Sequence, residues 1–314
     1  MREVKSAAMS AGDWGQLLAL SALWGGSFFF YKILAADYPP FTVVLGRVGI
    51  AAVLLHLYLL ARRDFMPRDP RLWARFFVMG LINNVAPFSL IVFGETRISS
   101  GLASILNATT PIFTVLVAHA LTRDEKLSPA KTAGVLCGFA GVALLLGPEV
   151  LEGLGRDLVG EGACLIAALA YAFAGVYGRR FRSVRPIHVA TGQLTASTIW
   201  LLPLAAAVDR PWTLPAPGVQ AVAAFAALAL LCTALAFVLY FRLLATAGAT
   251  NLLLVTFLLP ASALALGVLV LGETVSGEAL AGMALIGCGL AAIDGRAPRA
   301  LLRRFGPSPQ GANS

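Results

Sequence analysis

The sequence predicts an all-α membrane protein, with ten transmembrane helices forming a 5+5 inverted-topology repeat. Three observations carry this reading. Hydrophobic residues are 58% of the 314-residue chain and charged residues only 13%, with a mean hydropathy of +0.81. Nearly all the apolar residues fall in segments of about 20, the length a helix needs to cross ~30 Å of hydrocarbon. Runs such as Val135 to Leu146 lack the alternation of a barrel strand. A long internal repeat and a one-sided distribution of Lys and Arg complete the case.

Ten spans are read in order, at 14–35, 40–61, 72–93, 99–121, 128–146, 157–178, 186–208, 219–244, 250–271 and 277–294. Short polar or charged loops punctuate them, and proline opens the second and seventh at Pro40 and Pro186. A cleaved signal peptide is the rival reading of the first span, given Arg2 and Lys5 ahead of it. That apolar run is longer than a usual h-region, and no A-x-A-like site follows. The residues from Gly306 to Ser314 show no apolar periodicity and are expected to form a disordered end.

Orientation follows from the cations. Sixteen Lys and Arg lie in the N-terminal tail, in the loops after spans two, four and six, and in the C-terminal tail. The opposite loops hold only Arg97, Arg156 and Arg210. This bias predicts an integral, multi-pass protein of the plasma (inner) membrane with both termini cytoplasmic. It also accounts for the +8 formal charge without a nucleic-acid partner. Cys137, Cys164, Cys232 and Cys288 lie inside apolar segments without metal-ligand spacing and read as small packing residues.

The repeat is clearest where Pro111 to Gly141 returns as Pro260 to Gly289. Each copy runs from a proline through an apolar stretch to an acidic residue, Glu125 or Glu273, and then to Ser-x5-Gly-x6-Gly. Ser128, Gly134 and Gly141 correspond to Ser276, Gly282 and Gly289 at an offset of 148. Trp24 and Lys32 match Tyr171 and Arg179 at 147, and Pro40 and Gly46 match Pro186 and Gly192 at 146, while spans three and eight align weakly. The repeats therefore cover 14–146 and 157–294, followed by a cytoplasmic tail at 295–314. Five spans per repeat is an odd number, so the second enters the membrane from the opposite side. The substrate site is expected near the midplane where the halves meet.

The pairing of NATTPIFTVLVAHALTRDEKLS with LLVTFLLPASALALGVLVLGETVS, each followed by a Gly-rich closing helix, resembles the two EamA-type domains of the drug/metabolite transporter superfamily. The second copy, with Leu271, Gly272 and Glu273, keeps to the family pattern, and the first departs from it at Thr122, Arg123 and Asp124. The resemblance implies ten helices around a central cavity and an activity that usually exports amino acids or other small metabolites.

Candidate transport residues are polar or aromatic groups at membrane depth, where polarity is expensive. Asn83 and Asn84 lie halfway along span three, ahead of Pro87, which is expected to free a carbonyl near Asn83. One of the two asparagines is expected to line the cavity, because adjacent residues do not share a helix face. Bonding to neighbouring helices is the other reading. Asn107, Thr110, Pro111 and Thr114 form a stripe on one face of span four, answered in span nine by Thr256, Pro260 and Ser262. Pro111 and Pro260 are candidate gating kinks or inherited packing kinks. Trp24 and Ser27 in span one, with Tyr171 as the repeat partner of Trp24, are candidates for substrate contact or helix packing. Lys32, Arg47 and Glu161 are candidate cavity charges, with Arg47 expected to pair with Glu161 or to attract a substrate carboxylate. Snorkelling to the interface also explains Lys32.

No Asp or Glu falls at the midplane of a span, which favours gradient-driven movement over tight ion coupling and leaves proton antiport through Glu161 as a secondary expectation. Neither a His-Glu-x-x-His nor a Gly-x-Ser-x-Gly motif is present, and the three histidines lie on unrelated segments. An enzyme is therefore not expected, nor a cofactor or metal. The expected activity is an alternating-access carrier of small metabolites such as amino acids, its outward direction implied by the resemblance, with a drug or xenobiotic efflux carrier or a channel-like facilitator as alternatives. Its expected partners are the small-molecule substrate and the lipid bilayer, with the chain a monomer or homodimer.

Overall fold

A computed structural model describes residues 9–123, 127–147, 152, 154–259, 261–262 and 277–294. Within them the chain is helical, without strands. The helices are α1 (Ala11–Ala35), α2 (Pro40–Ala61), α3 (Pro70–Gly80), α4 (Ala86–Glu95), α5 (Ser100–Asn107), α6 (Thr110–Leu121), α7 (Pro129–Leu146), α8 (Leu158–Gly178), α9 (Pro186–Leu204), α10 (Val219–Ala229), α11 (Ala236–Leu253) and α12 (Gly277–Asp294). Local chemistry sets their starts. Ser10 and Asp13 form a capping box on α1, and the side chains of Asp69, Ser99, Ser128 and Asp157 accept backbone N–H groups at the starts of α3, α5, α7 and α8. Proline fills the first turn of α2, α3, α7 and α9, where its missing N–H goes unneeded.

Among the described residues seven helical stretches are long and apolar enough to cross a membrane, and 129–145 and 280–293 are shorter apolar helices. Large side chains such as Leu57, Leu60, Leu158, Ile166 and Val219 are exposed along these stretches. Such surfaces belong in lipid, so this is a multi-pass membrane protein.

Among the described residues π-turns occur in three long helices: one at Ala205–Asp209 ends the stretch begun by α9, and the other two, the first and second of a pair, fall at corresponding positions of the two repeats. π-turns at Leu81–Val85 and Leu230–Leu235 join α3 to α4 and α10 to α11. Each adds a residue to the winding and disturbs the ladder of backbone hydrogen bonds. Pro87 follows the Leu81–Val85 π-turn inside the continuous helix Pro70–Glu95, so its missing N–H leaves a carbonyl of the preceding turn without an intrahelical donor, beside Asn83 as expected. The boundary between the eighth and ninth spans moves. Helix continues past 244, and the change of direction occurs at Gly248, whose φ of 81° only glycine adopts without strain.

The Ser-x5-Gly-x6-Gly motifs pack α7 directly on α12, as their small residues suggest. A Cβ on Gly134 would stand 2.8 Å from the Gly289 carbonyl oxygen, and one on Gly141 would stand 2.8 Å from that of Gly282. The order of these pairs makes the two helices antiparallel. Helices α2 and α9 are antiparallel as well. At one end Asp209 accepts from the N–H and hydroxyl of Thr42, at 2.6 and 3.0 Å. At the other, Asp64 accepts from Arg185 and faces His188 Nε2 at 3.0 Å. Thr42 and His188 are 146 residues apart, the offset of the repeat in these helices. Glycine brings each helix against a phenylalanine, Gly46 of α2 against Phe225 and Gly192 of α9 against Phe76.

Candidate functional site

A narrow cavity of about 50 Å³ lies between Trp24, Ser27 and Tyr31 of α1, Arg47 of α2, Phe88 and Ile91 of α4, Asn107 of α5, Tyr171 of α8, and Leu253, Thr256 and Leu259. Both repeats thus contribute to its wall. The spacing of 24, 27 and 31 is i, i+3, i+7, which turns one face of α1 inward. Four rings, Trp24, Tyr31, Phe88 and Tyr171, line the cavity. Trp24 packs against Tyr240 and Phe237 with centroids 5.7 and 5.9 Å apart, and Phe88 stands edge-on to Tyr171 at 6.4 Å.

The breaks in the fourth and ninth spans open onto this cavity. Helix α5 ends at Asn107 and α6 begins at Thr110, while Leu254 interrupts the helix between 253 and 255. Asn107 and Thr256, which correspond at the 149-residue offset of the two prolines, line the cavity at these breaks. Pro111 sits in the first turn of α6, and Pro260 lies outside the described residues. The rest of the expected stripe is used internally. Thr110 donates to the Asn107 carbonyl and Thr114 to that of Thr110, so both hydroxyls are spent on their own helix.

Among the described residues Arg47 is the one charged side chain lining the cavity, and it is 2% exposed. Its Nε donates to Thr233 Oγ1 at 2.7 Å and its Nη2 to the Cys232 carbonyl at 2.9 Å, while Nη1 donates to the Tyr31 hydroxyl. The guanidinium carbon lies 4.0 Å from the centre of the Phe88 ring and 5.2 Å from that of Tyr31. The second π-turn supplies both Thr233 and the Cys232 carbonyl, so the distortion of that helix is what receives the arginine. The expected pairing with Glu161 is not found. Glu161 instead accepts the Gly155 N–H at 2.6 Å, closing the turn before α8. The Lys32 side chain lies outside the described residues.

Asn83 and Asn84 are fully buried at a helix contact, outside the cavity lining. Asn83 Nδ2 donates to Gln193 Oε1 at 3.1 Å and Asn84 Nδ2 to Ser197 Oγ at 2.8 Å. Both therefore face α9, contrary to the expectation that adjacent residues must diverge. Gln193 and Ser197 stand one turn apart on α9, so each asparagine meets its own partner. Of the residues singled out from the sequence, Trp24, Ser27, Arg47, Asn107, Tyr171 and Thr256 meet at one cavity. Tyr31, Phe88, Cys232 and Thr233 were not singled out. The i+7 spacing from Trp24 signals Tyr31, whereas nothing in the sequence links Thr233 to Arg47.

Similarity to known proteins agrees with this architecture. A solved structure described as a crystal structure of protein superposes with a TM-score of 0.71 at 22% identity, covering 91% of this chain and 98% of the other, a likeness of fold. The uncharacterized transporter YoaV of Bacillus subtilis is 28% identical over 256 residues, spanning 80% of this chain and 86% of its own. An uncharacterized transporter of Archaeoglobus fulgidus is 28% identical over 251 residues, 78% of this chain and 84% of its own, and the uncharacterized inner membrane transporter YedA of Escherichia coli is 28% identical over 53% of each chain. The EamA-like transporter family matches twice, at residues 13–147 and 158–293, so the chain belongs to that family and is a membrane transporter, not an enzyme.

Proposed function

We propose that this transporter is an alternating-access carrier that exports small polar or amphipathic metabolites such as amino acids through the cavity around Arg47. One observation carries the reading. Interrupted helices of both repeats meet at a buried cavity combining aromatic walls with a fixed charge, the arrangement expected of a carrier site at a repeat interface. At about 50 Å³ the cavity is small for a metabolite, so substrate enters when the walls separate. Alternating access supplies that separation.

The proposed architecture is ten helices in two inverted five-helix repeats, with both termini cytoplasmic in the inner membrane. Its support is the antiparallel packing of α7 on α12 and of α2 on α9, each a pair of corresponding helices. Substrate contacts are assigned to Trp24, Ser27, Asn107, Tyr171 and Thr256, with Pro111 and Pro260 at the moving breaks. Among the described residues no carboxylate lines the cavity, which supports gradient-driven flux over proton coupling.

Proteoliposomes holding the purified protein test the proposal. Labelled amino acids and related metabolites should exchange with saturable kinetics, and flux no greater than in empty liposomes across a broad panel would remove it. The ring-lined wall also suits an apolar xenobiotic, so drug efflux is the second reading. Competition by apolar compounds but not by amino acids would favour that reading, and unsaturable flux would favour a channel.

A further inference from the structure

We infer that Arg47 makes this cavity selective for substrates bearing a carboxylate, an inference that rests on the cavity being the substrate site. The charge itself is the first argument. A cation taken out of water is stable only with a counter-charge or dense hydrogen bonding. Arg47 commits one N–H to each of Thr233, Tyr31 and Cys232, so two of the five N–H groups of a guanidinium are uncommitted. Among the described residues no carboxylate lies within 4.0 Å of it. Its two aromatic neighbours attract the cation but do not neutralise it.

The second argument comes from the other repeat. Position 193 corresponds to 47 at the offset of 146, and there a neutral glutamine faces the first π-turn. Filling that notch therefore does not require a charge. The charge at 47 is additional, and it faces the only one of the two notches that lines the cavity. Two further groups point the same way, for Trp24 Nε1 and Asn107 Oδ1 are buried there without hydrogen-bond partners. A carboxylate on Arg47 would leave the indole N–H as a second donor to it, and the Asn107 oxygen would accept from an ammonium or hydroxyl elsewhere on the same molecule.

The test uses the full chain in detergent and a square of four probes: L-leucine, L-leucinamide, 4-methylpentanoate and 4-methylpentanamide, with the square repeated for aromatic and polar side chains. Ligand-induced shifts in melting temperature give the affinities. The wild type should bind each carboxylate about tenfold or more tighter than its amide, the scale of one charge-assisted hydrogen bond. Arg47→Gln should level the two and Arg47→Lys should keep part of the preference. A wild-type ratio near one, or no binding by any carboxylate, would overturn the inference whatever the variants do. Arg47→Gln that stays folded and still prefers carboxylates would also overturn it. Equal flux of amides and carboxylates in liposomes would defeat the inference and leave the carrier standing. Carboxylate binding without flux would do the reverse.

Discussion

Two notches in this transporter are built alike and finished differently. In one, α9 offers Gln193 and Ser197 to Asn83 and Asn84 of the first π-turn. In the other, α2 offers Arg47 to Cys232 and Thr233 of the second. Each presenting helix comes close through a glycine one residue earlier, Gly192 against Phe76 and Gly46 against Phe225. The first notch is an amide junction sealed between helices. The second is a cation at the edge of a cavity. The backbone device sets where a polar side chain can be buried, and the side chain decides whether the place is structural or chemical.

Exchanging the two finishes should give the largest effect. Gln193→Arg puts a cation into the sealed notch, where no anion can reach it, and should destabilise the protein by on the order of 3–5 kcal/mol. Unfolding in mixed micelles measures this, and adding Asn83→Asp should recover much of the loss. Next come the glycines. Valine at either position should cost about 1–3 kcal/mol, because a Cβ would lie 2.4 Å from the Phe76 ring at Gly192 and 2.5 Å from Phe225 at Gly46. The penalty should be larger at Gly192, since Phe76 is fully buried and stacked on Phe181, whereas Phe225 is partly exposed. Equal melting temperatures for the two variants would deny that difference in room. Gln193→Met strands the Asn83 amide and should cost about 1–3 kcal/mol of stability, with carboxylate preference unchanged. Thr233→Val should instead weaken that preference, since Arg47 loses the acceptor that orients it.

The smallest effect is expected at the α2–α9 clamp. Partial desolvation would raise the Asp64 pKa, but the hydrogen bond and charge of His188, with the charge and hydrogen bond of Arg185, outweigh it and hold the carboxyl below its ordinary value. A depressed carboxyl stabilises the fold above its unfolded-state pKa, and the contribution is lost as pH falls through the folded one. Asp64→Asn should therefore melt slightly below wild type near neutrality, and the gap should close in acid below the ordinary carboxylate range. The Asp157 carboxyl is likewise held low, by the Gly160 N–H and then by Arg97. That site lies away from the notches and supplies an internal control.

The seven long apolar helices were legible because apolar length is a strong signal, and the two-domain repeat because prolines and glycines keep their offsets. Part of one inward face was legible too, in Trp24 and Ser27, and Tyr31 extends it at helical spacing. The π-turns were not. An extra residue in a helical turn leaves no mark on hydropathy, and here the winding is tied to bonds with residues some 110 or 185 positions away. The same gap explains Asn83, Asn84 and Arg47. Their polarity and depth were visible in the sequence, but which helix they would meet depended on the weakest-aligned pair of spans.

The second notch also bears on how such proteins diversify. The side chain at position 47 is held by groups of the π-turn and α1, and a neutral residue of similar reach closes the equivalent place in the other repeat. On the proposed reading, a single substitution there changes the electrical character of the cargo, so a new selectivity needs one mutation and no new helix.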